Sequence, residues 1–204
     1  MRCVAPYPTT ILPHAGHDAR NFHFSYSWTG ALIRAGMRRL RSGVGIVRAI
    51  YLAPAAGALP VGVAAATAVA GRGLEGDRYF LGVGSFSRWP GEGRAVTLIE
   101  EEAIEAVLRE HGIDLGDGRS RRNVVTRGVV LADLVGKRFR IGGSLLRGAR
   151  PAAPCRYLER RVGPGTYDAM SGRGGLRADA LEGGVVRVGD LIEVVGTTGH
   201  DISK

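Results

Sequence analysis

The sequence predicts a mainly β protein, a barrel of short strands with one main helix and small helical insertions. Three observations carry that expectation. Glycine occurs 32 times in 204 residues, more than double its average share, and cuts the chain into short apolar runs ended by turns. Only one segment, Glu100–Glu110, keeps its apolar residues at a helical period. Strands and helices do not alternate in a βαβ rhythm, and no internal repeat is visible.

Taken in order, Gly45–Leu52 and Val61–Ala70 read as a first strand pair joined by the Pro/Gly loop Ala53–Pro60. Arg94–Ile99 is a third strand. The helix Glu100–Glu110 follows, with Ile104, Val107 and Leu108 at helical spacing. Its acidic start suits the positive end of the helix dipole, and Gly112 stops it. Asn123–Thr126, Lys137–Ile141 and Ser144–Ala149 are further strands, with Gly142-Gly143 as a hairpin signal. A short helical stretch is expected around Cys155–Arg161. Strands near Leu176–Leu181 and Val185–Val195 close the domain, the second broken at Gly189-Asp190.

Composition narrows the function classes. With 45% hydrophobic and 23% charged residues, a packed core forms and wholesale disorder is excluded. No apolar run is long enough for a conventional membrane-spanning helix, so no membrane association is expected. Two cysteines, Cys3 and Cys155, make neither a disulfide scaffold nor a zinc cage, and a cytoplasmic location is the expectation. The net charge of +9 is uneven, because residues 1–43 hold six Arg and one Asp. Those residues show no sustained period and hold three of the five histidines. They read as a poorly ordered N-terminal extension, with Met37 a candidate natural start. Residues 44–196 form the domain and 197–204 a C-terminal tail. The basic excess of the domain is modest and few aromatics interleave with its Arg, so no nucleic-acid partner is expected. Arg38-Arg39 ahead of an Ala/Val/Gly stretch imitates an export signal. Arg48, Pro54 and Pro60 interrupt that stretch, which reads better as two strands.

Several motifs bear on chemistry. Gly71-Arg-Gly73-Leu-Glu-Gly76 matches the dinucleotide fingerprint, but the glycines after it deny the helix that must receive a pyrophosphate. Arg78, in the glycine-rich corner Gly76-Asp77-Arg78-Tyr79, either faces an anion or marks a surface turn. Arg119-Ser-Arg121-Arg122-Asn123 either supplies fixed donors for an oxyanion or is a solvated basic turn. Cys155 follows Pro154, stands where a short helix begins and is flanked by Arg150, Arg156, Arg160 and Arg161. Positive charge and a helix start favour a thiolate, whereas a lone cysteine is also a common core residue. His111 and His200 are the domain's and tail's only histidines, and no nucleophilic triad is visible. Glu100, Glu101 and Glu102 either include a base or form a helix-start charge cluster.

Read together and in order, these segments resemble the MOSC domain, the C-terminal module of molybdenum cofactor sulfurases. The signposts are Gly73-Leu-Glu-Gly-Asp-Arg78-Tyr79, Val96-Thr-Leu-Ile-Glu100 and Arg121-Arg122-Asn123-Val-Val-Thr126. They continue with Leu134-Val-Gly-Lys-Arg-Phe-Arg-Ile-Gly142, Pro154-Cys155, Arg173-Gly-Gly-Leu176 and Gly183-Gly-Val-Val-Arg-Val-Gly-Asp190. The resemblance covers Val44 to Val195 and implies a stand-alone MOSC-type β-barrel binding the molybdenum cofactor (molybdopterin). It implies that Cys155 is the functional thiol, ligating molybdenum or carrying sulfur. Arg78, Arg121, Arg122, Asn123 and Glu100 become the implied cofactor-binding set. A soft thiolate suits the metal, and forked Arg suits a phosphate.

Departures qualify the resemblance. Amidoxime-reducing relatives have a Lys-Ser pair in the loop after the first strand, where this chain has Pro54-Ala55. Their N-terminal barrel domain and the sulfurases' aminotransferase-like domain have no counterpart here. Pyridoxal phosphate is not expected, since it needs a Schiff-base lysine and the chain has only Lys137 and Lys204. The implied activity is molybdenum-dependent reduction of a small-molecule N-hydroxylated substrate, with electrons from a separate redox protein. The alternatives are a sulfur carrier through a Cys155 persulfide, working with a sulfur donor and acceptor, and a non-enzymatic cofactor-binding module.

Overall fold

The computed structural model describes residues 44–89 and 91–195. The N-terminal extension, Cys3, the Arg38-Arg39 pair and the C-terminal tail read from the sequence lie outside the described residues. Eleven strands are formed by the described residues: β1 (Val44–Leu52), β2 (Val61–Val63), β3 (Ala65–Val69), β4 (Gly73–Leu74), β5 (Val96–Glu100), β6 (Val124–Arg127), β7 (Arg138–Ile141), β8 (Ser144–Pro151), β9 (Leu176–Glu182), β10 (Gly184–Arg187) and β11 (Leu191–Val194). Helices are α1 (Glu101–His111), α2 (Arg156–Val162) and α3 (Thr166–Ala169), with a 3₁₀ turn at Leu131–Leu134.

Seven strands close into a barrel in the order β1-β11-β7-β8-β9-β5-β6, with β6 returning to β1. β2 pairs with the far end of β1, Ile50 opposite Val63. β10, β3 and β4 form a separate three-stranded sheet. The protein is mainly β, as the glycine-punctuated short runs implied.

Two details differ from the sequence reading. Val61–Ala70 is not one strand but two, because its first half pairs with β1 and its second with β10 in the other sheet. The βαβ rhythm is missing as a repeat, yet one unit is present: β5 and β6 are parallel, with α1 in the connection between them. A single parallel crossover leaves no periodic trace in a sequence. The 3₁₀ turn and α3 span four residues each, too short to show a period.

Strand alternation sorts the side chains into two cores. Val96 and Leu98 of β5, Val124 of β6, and Leu176 and Ala178 of β9 point into the barrel with Phe139, Ile141 and Leu146. Ile99 and Val125 point outward and bury against Val107 of α1, Leu158 of α2, and Ala169 and Met170 at α3. Burying each such side chain is worth on the order of 1.5–3 kcal/mol, so the helical layer is fixed to this one wall. Gly112 ends α1 in the left-handed conformation (φ 66°), as its position implied. Gly175 has φ 91°, and a Cβ there would overlap the Leu98 carbonyl, so β9 can enter beside β5 only with glycine at that place.

Candidate functional site: a cysteine–arginine cleft

The outward faces of β9 and β5, beside the helical layer, carry polar residues in register. Arg150 of β8 lies opposite Arg177 of β9, and Arg177 lies opposite Thr97 of β5. The row continues to Asn123, just before β6: the Thr97 hydroxyl donates to Asn123 Oδ1 at 2.9 Å, and the backbone N–H of Asn123 donates to Thr97 O at 2.9 Å.

Asn123 also fixes the Gly76–Tyr79 corner. Its Nδ2 donates to Tyr51 O (3.2 Å) and to Asp77 Oδ2 (3.1 Å). Asp77 is 1% exposed and accepts four hydrogen bonds, from Asn123 Nδ2, Ala53 N, Arg78 Nη1 and Tyr79 N. A buried carboxylate is tolerated only when satisfied in this way. The corner is therefore not the surface turn that glycine-rich sequence permits. Asp77 orients Arg78, whose guanidinium lies 5.0 Å from the Tyr79 ring centroid.

Arg121 is one of two non-glycine residues with positive φ (58°) among the described residues. Such backbone is costly and concentrates at functional sites. Its Nη1 donates to Ala58 O at 2.9 Å, and its guanidinium lies 5.9 Å from the Tyr157 ring. Arg161 Nη2 donates to Gly57 O at 2.6 Å. Two arginines thus hold the loop that carries Pro54-Ala55.

Arg122 is buried and bound only to main-chain carbonyls. Its Nε donates to Gly174 O and its Nη2 to Ala152 O, both at 2.8 Å, and its Nη1 to Ser120 O at 3.3 Å. Burial above all, then the Arg177 charge, pulls its pKa down to about 10 against the opposing influence of Cys155. It keeps its proton at neutral pH. Burial, then the Arg150 charge, likewise lowers the Arg177 pKa, and Arg177 Nε is enclosed without a hydrogen-bond partner.

These residues meet Cys155 in a recess of about 60 Å³, lined by Arg78, Tyr79, Ser85, Phe86, Thr97, Arg121, Arg122, Cys155, Tyr157, Leu158 and Arg177. Cys155 is half-buried and takes the N-cap position of α2 with extended backbone (φ −140°, ψ 157°). No carboxylate lines the recess, and the nearest in the network, Asp77, is committed to its four donors. An incompletely solvated cation such as Arg177 is stabilised when an anion enters beside it. Among the described residues no three His, Cys, Asp or Glu are grouped to hold a metal ion.

Of the residues singled out in the sequence, the structure gathers Cys155, Arg78, Arg121 and Arg122 at one recess. Asn123 stands behind it as a brace rather than at its surface. Glu100 is elsewhere: its Oε1 accepts from Leu131 N at 2.9 Å, and it lines a different cavity of about 430 Å³ between α1, the 3₁₀ turn and residues 172–176. That cavity is mostly apolar, and the carboxylates of Glu100 and Glu102 are taken up by main-chain N–H groups. Lys137 is exposed in the turn before β7 and does not line the recess. Arg177, Asp77 and Thr97 were missed. Arg177 had one available signal, its place next to the Arg173-Gly-Gly-Leu176 segment.

A small closed barrel of seven short strands with a helical layer on one wall defines a class, and the sequence falls within it. The MOSC domain model matches residues 86–193, and the chain belongs to that family, which is associated with the molybdenum cofactor. Solved structures agree in fold. YuaD from Bacillus subtilis superposes with a TM-score of 0.61 at 18% identity, covering 74% of this chain and 95% of that one. YiiM from Geobacillus stearothermophilus gives 0.59 at 17% identity, with 74% and 75% covered. YiiM from Escherichia coli gives 0.53 at 19% identity, with 76% and 72% covered. No curated protein sequence matches the chain significantly. No helix among the described residues is long and apolar enough to cross a membrane.

Proposed function

We propose that the protein binds the molybdenum cofactor at the cysteine–arginine recess and uses it to reduce N-hydroxylated compounds, with electrons from a separate redox protein. The supporting observation is the meeting of Cys155 with four arginine side chains on a surface without carboxylates. The donor set fits the group: a thiol as a soft metal ligand, guanidinium forks for a phosphate, and an under-solvated Arg177. The recess holds only about two waters' volume, so it anchors the anionic end of a ligand rather than enclosing it.

When bound, the cofactor supplies two-electron redox chemistry, and the protein supplies binding, orientation and field. Cys155 is the proposed metal ligand. Arg78 and Arg177 donate to the phosphate, with Arg121 beside them at the Tyr157 side. Arg122 spends its hydrogen bonds on carbonyls and contributes a fixed positive charge. Asn123 acts through Asp77, which holds Arg78 in place.

A second reading has Cys155 as a sulfur carrier, supported by its half-exposed place among cations that stabilise a persulfide anion. The thiolate would attack the outer sulfur of a donor persulfide, taking that sulfur and releasing the donor's thiolate. Metal and pterin analysis of full-length protein from a cofactor-competent host separates the two. The reductase reading expects molybdenum and pterin in the wild type, their loss in Cys155→Ser, and turnover of an N-hydroxylated purine with an electron donor. Protein without metal or pterin that gains one sulfur atom by mass at Cys155 would replace it with the carrier.

A further inference from the structure

The polar outer wall does not end at the cysteine–arginine recess. Two residues further along the outward face of β9, Asp179 lines a second recess of about 210 Å³, and Tyr79 lines both. Arg72 and Arg94 face this second recess, together with the Trp89 ring and the backbone of Gly71, Gly82 and Gly91. Arg72 is held by Phe80, stacked 4.1 Å over its ring with Nη2 donating to its carbonyl at 3.3 Å. Arg94 Nη1 donates to Phe86 O at 2.6 Å, and its Nε is enclosed without a partner.

Neither arginine is ion-paired among the described residues. The carboxylate in the recess is already engaged: Asp179 Oδ1 accepts from Gly93 N at 2.8 Å, and Oδ2 lies 3.7 Å from Arg147. Beside these cations Trp89 leaves 59% of its surface in water. A single exposed ring needs no explanation. A flat apolar face next to two guanidinium groups that have no ion-pair partner among the described residues, in a recess bared by three glycines, matches a ligand that is a planar ring carrying an oxyanion.

We propose that this recess binds the nucleoside monophosphate class, with the base on Trp89 and the phosphate on Arg72 and Arg94. The site shares neither Cys155 nor Arg78, Arg121, Arg122 and Arg177, so it stands or falls apart from the cofactor reading.

Trp28 and Trp89 are the only tryptophans, so Trp28→Phe in the full chain makes Trp89 the sole reporter. Its fluorescence is titrated with adenosine, guanosine and cytidine monophosphates, the matching nucleosides, and inorganic phosphate. The expected result is saturable quenching by at least one nucleotide, tenfold or more tighter than by its nucleoside or by phosphate. Arg72→Gln and Arg94→Gln should each weaken it tenfold or more, while Cys155→Ser leaves it unchanged. Arg72 is exposed, so its variant keeps the test valid should Arg94→Gln fail to fold. Nucleosides binding as tightly as nucleotides, phosphate binding as tightly as nucleotides, no saturable quenching, or an unaffected Arg72→Gln would each overturn the proposal.

Discussion

Arg122 and Arg127 bracket one strand, β6, and the protein treats their charges in opposite ways. Arg127, at the outer end, donates through Nη1 to Glu101 (2.8 Å) and Glu105 (3.0 Å) of α1, and those hydrogen bonds raise its pKa. Arg122 is buried, bonded to three carbonyls and no carboxylate, and burial brings its pKa down to about 10. The exposed residue is neutralised and links helix to barrel. The buried one carries a full charge that its hydrogen bonds delocalise but do not cancel. A ligand beside Cys155 meets that charge in a partly desolvated setting, where it acts more strongly than in water. Both ends of β6 carry structure, but only the Arg122 end leaves a charge that no carboxylate neutralises.

The strongest way to break this contrast is to remove the buried member. Arg122→Met leaves the carbonyls of Ser120, Ala152 and Gly174 without their donor and so removes bonds that tie three segments together. The expected loss is about 3–5 kcal/mol in urea unfolding, in the range for breaking a buried polar network. Arg122→Lys should recover only part, because an ammonium cannot reproduce the planar fork. A loss below about 1 kcal/mol would mean that water replaces the guanidinium and that Arg122 is no clamp.

The brace behind the recess comes next. Asn123→Ala removes donors from Asp77 and Tyr51 and an acceptor from Thr97. The expected cost is about 2–3 kcal/mol, with weaker cofactor retention because Asp77 no longer fixes Arg78. If thermal unfolding shifts while retention stays at the wild-type level, Asn123 is purely structural.

These two residues show what the sequence made legible. Element positions followed from alternation and glycine punctuation, so most strands and two helices were anticipated close to their place, whereas β2 and β3 were read as one strand and two-residue β4 was not anticipated. Cys155, Arg78, Arg121 and Arg122, each singled out from a recognisable segment, come together at one recess. Their roles were less legible. Nothing in Arg121-Arg122-Asn123 tells that Asn123 is used up by Thr97, Tyr51 and Asp77, since that depends on cross-strand register. Arg177 looked like any outward polar position between the buried Leu176 and Ala178, and only its pairing with Thr97 brings it to the recess. Glu100 sat in a matching segment, but its carboxylate turns to Leu131 N and away from the other residues of the set.

Arg177 sharpens the comparison at smaller cost. Its Nε has no partner, and burial, then the Arg150 charge, lowers its pKa. Arg177→Gln should therefore change stability by less than about 1 kcal/mol while lowering anion affinity roughly tenfold, the worth of one charge-assisted contact. Equilibrium dialysis against the released cofactor, beside a melting curve, reads both. A large drop in melting temperature with unchanged affinity would place Arg177 with the clamps.

The smallest effect belongs to the exposed end of β6. Partial burial opposes ionisation of Glu101, but the hydrogen bonds and charges of Arg127 and Arg48 outweigh it and hold the carboxyl below its ordinary value of 4.5. A carboxyl lowered on folding stabilises the folded state above its unfolded pKa, and that contribution is lost as the pH falls through its folded value. Glu101→Gln should therefore lower stability at pH 7 by no more than about 1 kcal/mol, since the pair is partly exposed and screened. The gap between wild type and variant should stay constant above the ordinary value of 4.5 and close as the pH falls below it through the lowered folded value. It should also shrink in high salt, as a surface pair must. Unfolding curves for both proteins across that range measure the gap directly. A gap that persists at the acid end would show that Glu101 matters through its shape and hydrogen bonding, and that the two ends of β6 differ less in electrostatics than their surroundings imply.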